Sequence, residues 1–267
     1  GKGWWEVNEL QVVDELKEQS DRLDLALEAK ELASNRWGQD IPGVQIDTEK
    51  DKGIMISRIT VLSKEGMEAI GKMPGRYVTL EVPGLRKKDT DLQDRVAMKF
   101  AKEFESFLQN VGIREDAKAL IIGLGNSNVT PDSLGPLVVD NVMVTRHFFE
   151  MMPGQTAMGY RPVSAVAPGV LGTTGIETGE IVQGIVEKSK PDFVIAVDAL
   201  ASRALDRLNT TIQIADTGIN PGSGIGNKRM GLTRETLGIP VIAIGVPTVV
   251  YASTIVNSSI EMVIKHF

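Results

Sequence analysis

Five short runs in the second half of this 267-residue chain are apolar at nearly every consecutive position: 119–124, 162–167, 193–197, 211–214 and 241–246. A strand with one wet face alternates apolar and polar residues. Uninterrupted apolar runs therefore fit strands covered on both faces. The stretches 134–147, 177–188 and 253–266 carry helical spacing between or after these runs. Strands alternating with helices predict an α/β chain, a three-layer α/β/α sandwich around a mostly parallel central sheet.

Upstream the pattern differs. Segments 53–63, with Ile54, Ile56, Ile59 and Val61, and 76–82, with Tyr77, Val78 and Leu80, predict strands joined by a Gly- and Pro-containing connection. They form an N-terminal β-rich elaboration that can pair as an antiparallel extension. Segment 89–110 places Leu92, Val96, Phe100, Phe104, Phe107 and Leu108 at three- and four-residue spacing. Asp89 or Thr90 caps its start and Gly112 lies beyond its end, so this is the clearest helix in the chain. Residues 6–30 are acidic and leucine-spaced, compatible with an amphipathic helix outside the main core. With no internal repeat and no low-complexity linker, the reading is a leader over 1–23 and a single domain over 24–267.

Composition removes several classes of chemistry. Twenty-nine basic against 35 acidic side chains give a net charge of −6, which repels phosphate backbones, so no direct nucleic-acid partner is expected. The absence of cysteine removes disulfides, thiol nucleophiles and thiolate metal sites, and suits a reducing compartment. His147 and His266 are the only histidines, too few for a histidine cage. No window supplies the roughly 18 uninterrupted apolar residues of a membrane span, and the N-terminus lacks a signal pattern. The expectation is a cytoplasmic protein without membrane partner, bound metal or cofactor, whose chemistry rests on carboxylates.

Ligands of open α/β sheets bind beyond the carboxyl ends of the strands. Two aspartates follow apolar runs there: Asp132, in the loop after 119–124, and Asp198, directly after 193–197. Two neighbouring carboxylates resist double ionisation, so one keeps a proton while the other acts as a base. Such a pair can activate water and protonate a leaving amine. Each has a plainer explanation as well. Thr130-Pro131-Asp132 is a good helix start, and Asp198 can cap a short following helix. Gly123-Leu124-Gly125-Asn126-Ser127-Asn128 approaches a dinucleotide fingerprint but has Asn128 at the third glycine position. The glycine-rich 222–228 loop can cradle an anion or close over a peptide, although it lacks Walker spacing. Ser133 and Ser202 sit near the same edge without a G-x-S-x-G elbow, which places a serine hydrolase below the aspartate pair.

Four motifs go further. Residues 123–136 (GLGNSNVTPDSLGP), 159–169 (GYRPVSAVAPG), 190–201 (KPDFVIAVDALA) and 216–229 (DTGINPGSGIGNKR) closely resemble the spore germination protease family, and the likeness runs from about Leu23 to the end. The resemblance implies an atypical aspartic-type endopeptidase that degrades small acid-soluble spore proteins in the spore core, is made as a zymogen and forms a homotetramer. It also implies a distant relation to hydrogenase-maturation endopeptidases, which hold a metal. In the family the functional carboxylates lie in motifs that place them here at Asp132 and Asp198. The segment Arg22 to Glu28 resembles the self-processing region, with Leu23 where Thr is expected. Tyr251 stands where the family has an acidic residue, and family members continue past the position of Phe267. The alternatives from other classes are a metal-dependent maturation-type peptidase and a non-catalytic anion-binding protein.

Overall fold

A computed structural model describes residues 23–154, 159–220 and 230–251, together with Val256, Ser259, Ile260, Val263 and Ile264. Its centre is one eight-stranded sheet of order β1-β2-β3-β7-β8-β6-β4-β5. The strands are β1 (Val44–Asp51), β2 (Ile54–Val61), β3 (Gly75–Glu81), β4 (Ala119–Gly123), β5 (Val163–Val166), β6 (Phe193–Ser202), β7 (Thr211–Ala215) and β8 (Val241–Val250). The helices are α1 (Ala26–Trp37), α2 (Lys64–Ile70), α3 (Thr90–Asn110), α4 (Leu134–Asn141), α5 (Arg146–Met151), α6 (Leu171–Thr174), α7 (Thr178–Ser189) and α8 (Arg234–Leu237).

Alternate residues of each strand face opposite layers, as a pleated strand requires. Ile121, Phe193, Ile195, Val197, Val78 and Leu80 pack with Leu92, Val96 and Phe107 of α3. Leu120, Ile122, Val194, Ala196 and Val241 pack on the other face with Val182 and Val186 of α7 and Leu237 of α8. Farther along that second face, Ala26, Leu27 and Ala33 of α1 and Ile70 of α2 meet Ile59, Val61, Tyr77 and Ala215. The sandwich therefore has the expected three layers, and the N-terminal strands continue the same sheet.

The centre of the sheet is mostly parallel, as expected, and the N-terminal strands add the antiparallel extension; the one reversal inside the centre is β7. Pairs β4·β5, β4·β6 and β6·β8 are parallel, whereas β1·β2, β2·β3, β3·β7 and β7·β8 are antiparallel. Chain length explains the reversal at β7. Residues 203–210 between β6 and β7 are fewer than the dozen or so that a parallel crossover needs, so β7 returns in the opposite direction. The β1–β2 hairpin turns on Lys52 and Gly53, both at positive φ (45° and 87°), as the favoured two-residue hairpin turn demands.

Other boundaries move too. The single helix expected over 134–147 is two: Val142 is extended at φ −78°, ψ 143°, and Thr145 bonds into the β5 side. There its hydroxyl donates to the Arg161 carbonyl and accepts from the Val163 N–H. The 64–75 connection contains α2, capped by Ser63, and β1 had no sequence signal because its exposed edge carries charged residues. Most important for the site, β6 runs on to Ser202 and β8 to Val250, so Asp198 lies inside a strand and not on a following loop.

Candidate active site

A cavity of about 560 Å³ opens on the second face of the sheet, with Ala215, Ala243 and Gly245 among its lining residues. Leu200 packs directly on Gly245, where a Cβ would stand 2.4 Å from Leu200 Cδ1. Asp132, Asp198 and Asp24 all line this cavity. The structure thus brings together the two aspartates singled out by sequence and adds a third.

Asp198 is placed by the β6·β8 ladder, opposite Gly245. Burial pushes its carboxyl up to about 7, and the charges of Asp132 and, more weakly, Asp24 push the same way; a hydrogen bond from the Ala199 backbone opposes them. Asp132 ends a 3₁₀ turn, Thr130–Asp132. Its Oδ2 accepts the Asn126 N–H at 2.8 Å, so this carboxylate closes the loop on itself and does not cap α4. Two contacts fix the turn. Gly125, at φ +114°, leaves room for the Asp132 carbonyl, which a Cβ would approach to 2.1 Å. From the other side, the register of β6·β8 shifts between Leu200 and Ala201, and Thr248 of β8 donates its hydroxyl to the Pro131 carbonyl.

The N-terminal segment runs into this cavity. Asp24 Oδ2 accepts the Ala201 N–H at 2.7 Å, and burial raises the Asp24 carboxyl. The Leu23 carbonyl accepts from Lys72 Nζ. The carboxamide of Gln213 donates to the Asp24 carbonyl at 3.1 Å and accepts the Ala26 N–H at 2.8 Å. Glu28, only 2% exposed, accepts the N–H groups of Arg203 and Ala204 and a guanidinium hydrogen bond from Arg207. Burial, helped by the charges of Asp24 and Glu28, holds the Tyr251 phenol well above its ordinary range. A third carboxylate there would add repulsion; a phenol does not.

A model of the germination protease family matches residues 23–267. The germination protease of Bacillus cereus (strain AH187) is 55% identical over 255 residues, covering 95% of this chain and 69% of the relative. That of Bacillus thuringiensis subsp. konkukian (strain 97-27) is 54% identical over 255 residues with the same coverage, and that of Bacillus anthracis (strain A0248) 55% identical over 256. The chain belongs to the germination protease family. Membership carries the coarse activity, a protease of spore germination and hence a hydrolase.

The other sequence candidates fall to structural roles in this germination protease fold. Ser202 is fully buried and donates to the Ala204 carbonyl, and Ser133 donates to the Thr130 carbonyl within its own turn. Gly123 and Gly135 are glycines because α4 begins directly on the end of β4; a Cβ on Gly135 would lie 2.1 Å from the Leu124 carbonyl oxygen. That close packing accounts for the glycine pattern without a dinucleotide. His147 is exposed and packs on Phe148. Among the described residues no cluster of three or more His, Asp or Glu is arranged to hold a metal, and no helix is long and apolar enough to cross a membrane. His266, the 222–228 loop and residues 1–22 lie outside the described residues. Sequence reasoning missed Gln213, Lys72 and Thr248, none of which stands in a motif with chemical meaning; only the tertiary contacts single them out.

Proposed function

We propose that the chain is an atypical aspartic-type endopeptidase that begins the degradation of small acid-soluble spore proteins during germination. The observation that carries this reading is the Asp198 carboxyl, pushed up to about 7 inside a cavity shared with Asp132. A carboxyl that keeps its proton near neutrality, in one cavity with a second carboxyl, supplies the acid of the acid and base division that water-activating carboxylate pairs use. In this reading the Asp132 carboxylate takes a proton from water as its oxygen adds to the scissile carbonyl carbon. Asp198 then delivers its proton to the amide nitrogen as the C–N bond breaks. One water is consumed, and a carboxylic acid and an amine leave.

Asn keeps the volume of Asp but neither accepts nor delivers the proton. Asp132→Asn and Asp198→Asn are each expected to abolish hydrolysis of an acidic, apolar fluorogenic peptide by the full chain. Turnover near that of the wild type in either variant would sink the mechanism. Activity lost to a chelator and regained on adding a divalent metal would turn the reading to the metal-dependent alternative.

The same proposal holds residues 1–23 to be an inhibitory leader, residues 24–267 the peptidase domain, the assembly a homotetramer and the workplace the spore core. A protease that must spare other proteins gains by recessing its site in an oligomer. Light scattering at micromolar concentration is expected to give four times the chain mass, and a monomer would contradict it.

A further inference from the structure

We infer that Gln213 is a catalytic hydrogen-bond donor of this cleft, its Nε2–H group holding the carbonyl that is attacked. The inference rests on the peptidase reading above and adds a residue to it. Residues 23–26 show how a polypeptide lies beside Asp198. Two consecutive carbonyls are gripped by side-chain donors, Leu23 by Lys72 Nζ and Asp24 by Gln213 Nε2 at 3.1 Å. The intervening side chain is anchored on the Ala201 N–H, three residues along β6 from Asp198. Gln213 is 8% exposed and sits in β7 opposite Gly245, the residue that also faces Asp198 across β8. The donor therefore comes from a strand, is fixed at both ends of its carboxamide, and stands on the wall of the cavity that holds both aspartates.

The two ends of the carboxamide have separable duties. Oε1 accepts the Ala26 N–H, one of the unpaired donors at the start of α1, so it caps that helix. Nε2 points its hydrogens at a carbonyl. When a substrate segment takes the place of Leu23 and Asp24, that group faces the oxygen on which negative charge develops as water adds. The carbonyl oxygen gains the charge, Asp132 takes the proton of water, and Gln213 donates a hydrogen bond without giving up its proton. A fixed amide donor of this kind contributes about 100-fold or more to kcat where measured in other hydrolases.

Gln213→Glu and Gln213→Met separate catalysis from helix capping. Glu keeps the acceptor for Ala26 at every pH but has a donor only while protonated, and Met has neither. The full chain and both variants are assayed on the same fluorogenic peptide at pH 5 and pH 8, with melting temperatures measured alongside. Met is expected to lower kcat about 100-fold with KM changed less than about threefold. Glu is expected to keep more of the wild-type kcat at pH 5 than at pH 8, read as the ratio to wild type at each pH. A Glu variant with the same fraction of wild-type kcat at both pH values, or a folded Met variant with kcat within about threefold of wild type, would overturn the inference alone. A wild-type chain that cuts no peptide would overturn the peptidase reading, and with it this one.

Discussion

At the scale of single residues, the Asp198 carboxyl ties chemistry to stability. In the unfolded chain it releases its proton near its ordinary 3.8, and in the folded protein near 7. Between those values the folded state holds a proton that the unfolded state has lost, so stability falls as pH rises through that window and levels off above it. Asp24 and Asp216, also raised by burial, act with the same sign. A shift of this size corresponds to about 4 kcal/mol, or on the order of 10 °C in melting temperature for a chain of this length. Asp198→Asn is therefore expected to melt higher than the wild type at pH 8 and close to it at pH 4, by circular dichroism. A lower melting temperature at pH 8 would show that the ionised carboxylate is held by contacts stronger than its burial. The residue identities of this pair were legible in the sequence. Their energetics were not, because desolvation depends on which layers close over them.

At the scale of elements, the two aspartates come from one turn and from the interior of the long strand β6, which lies against β8. The 3₁₀ turn that carries Asp132 is pressed against Gly125 and tied to β8 through Thr248. Gly125→Ala forces a Cβ against the Asp132 carbonyl at a φ that side chains rarely adopt. Its expected cost is more than about 1 kcal/mol in stability and about 100-fold in turnover through displacement of Asp132. Urea denaturation and steady-state kinetics check both, and unchanged kinetics would mean that the turn does not position Asp132. The long helix α3 was readable from spacing because its buried Leu92, Val96, Phe107 and Leu108 recur on one stripe. The full lengths of β6 and β8 were not, because polar Asp198 and Ser202 and the Pro247-Thr248 step break the apolar run while the ladder continues through them. Sequence reads side chains, and ladder extension is set by which backbone lies alongside.

At the scale of the whole molecule, the N-terminal segment is both an anchor and an occupant of the cleft. Leu25 is fully buried and Leu27 packs on the sheet, while Glu28 holds the 203–207 region through two backbone N–H groups and Arg207, itself paired with Glu31 and Glu81. Leu23 and Asp24, by contrast, line the cavity. Deleting residues 1–23 is expected to raise the initial rate on the fluorogenic peptide, since a tethered segment competes at millimolar-scale effective concentration. Leu25, Leu27 and Glu28 remain to hold α1. Equal rates of the two chains would mean that the leader does not inhibit. By itself the sequence determined the α/β class and the covered strands and pointed to Asp132 and Asp198, because apolar runs and ordered motifs are local properties of the chain. Only the tertiary structure decided that β7 runs against its neighbours, that Asp198 sits within a strand, and that Asp24, Lys72 and Gln213 line the same cavity. Those facts depend on contacts between residues up to 189 positions apart, as between Asp24 and Gln213, and no local pattern of side chains encodes which distant backbone will close over a carboxylate.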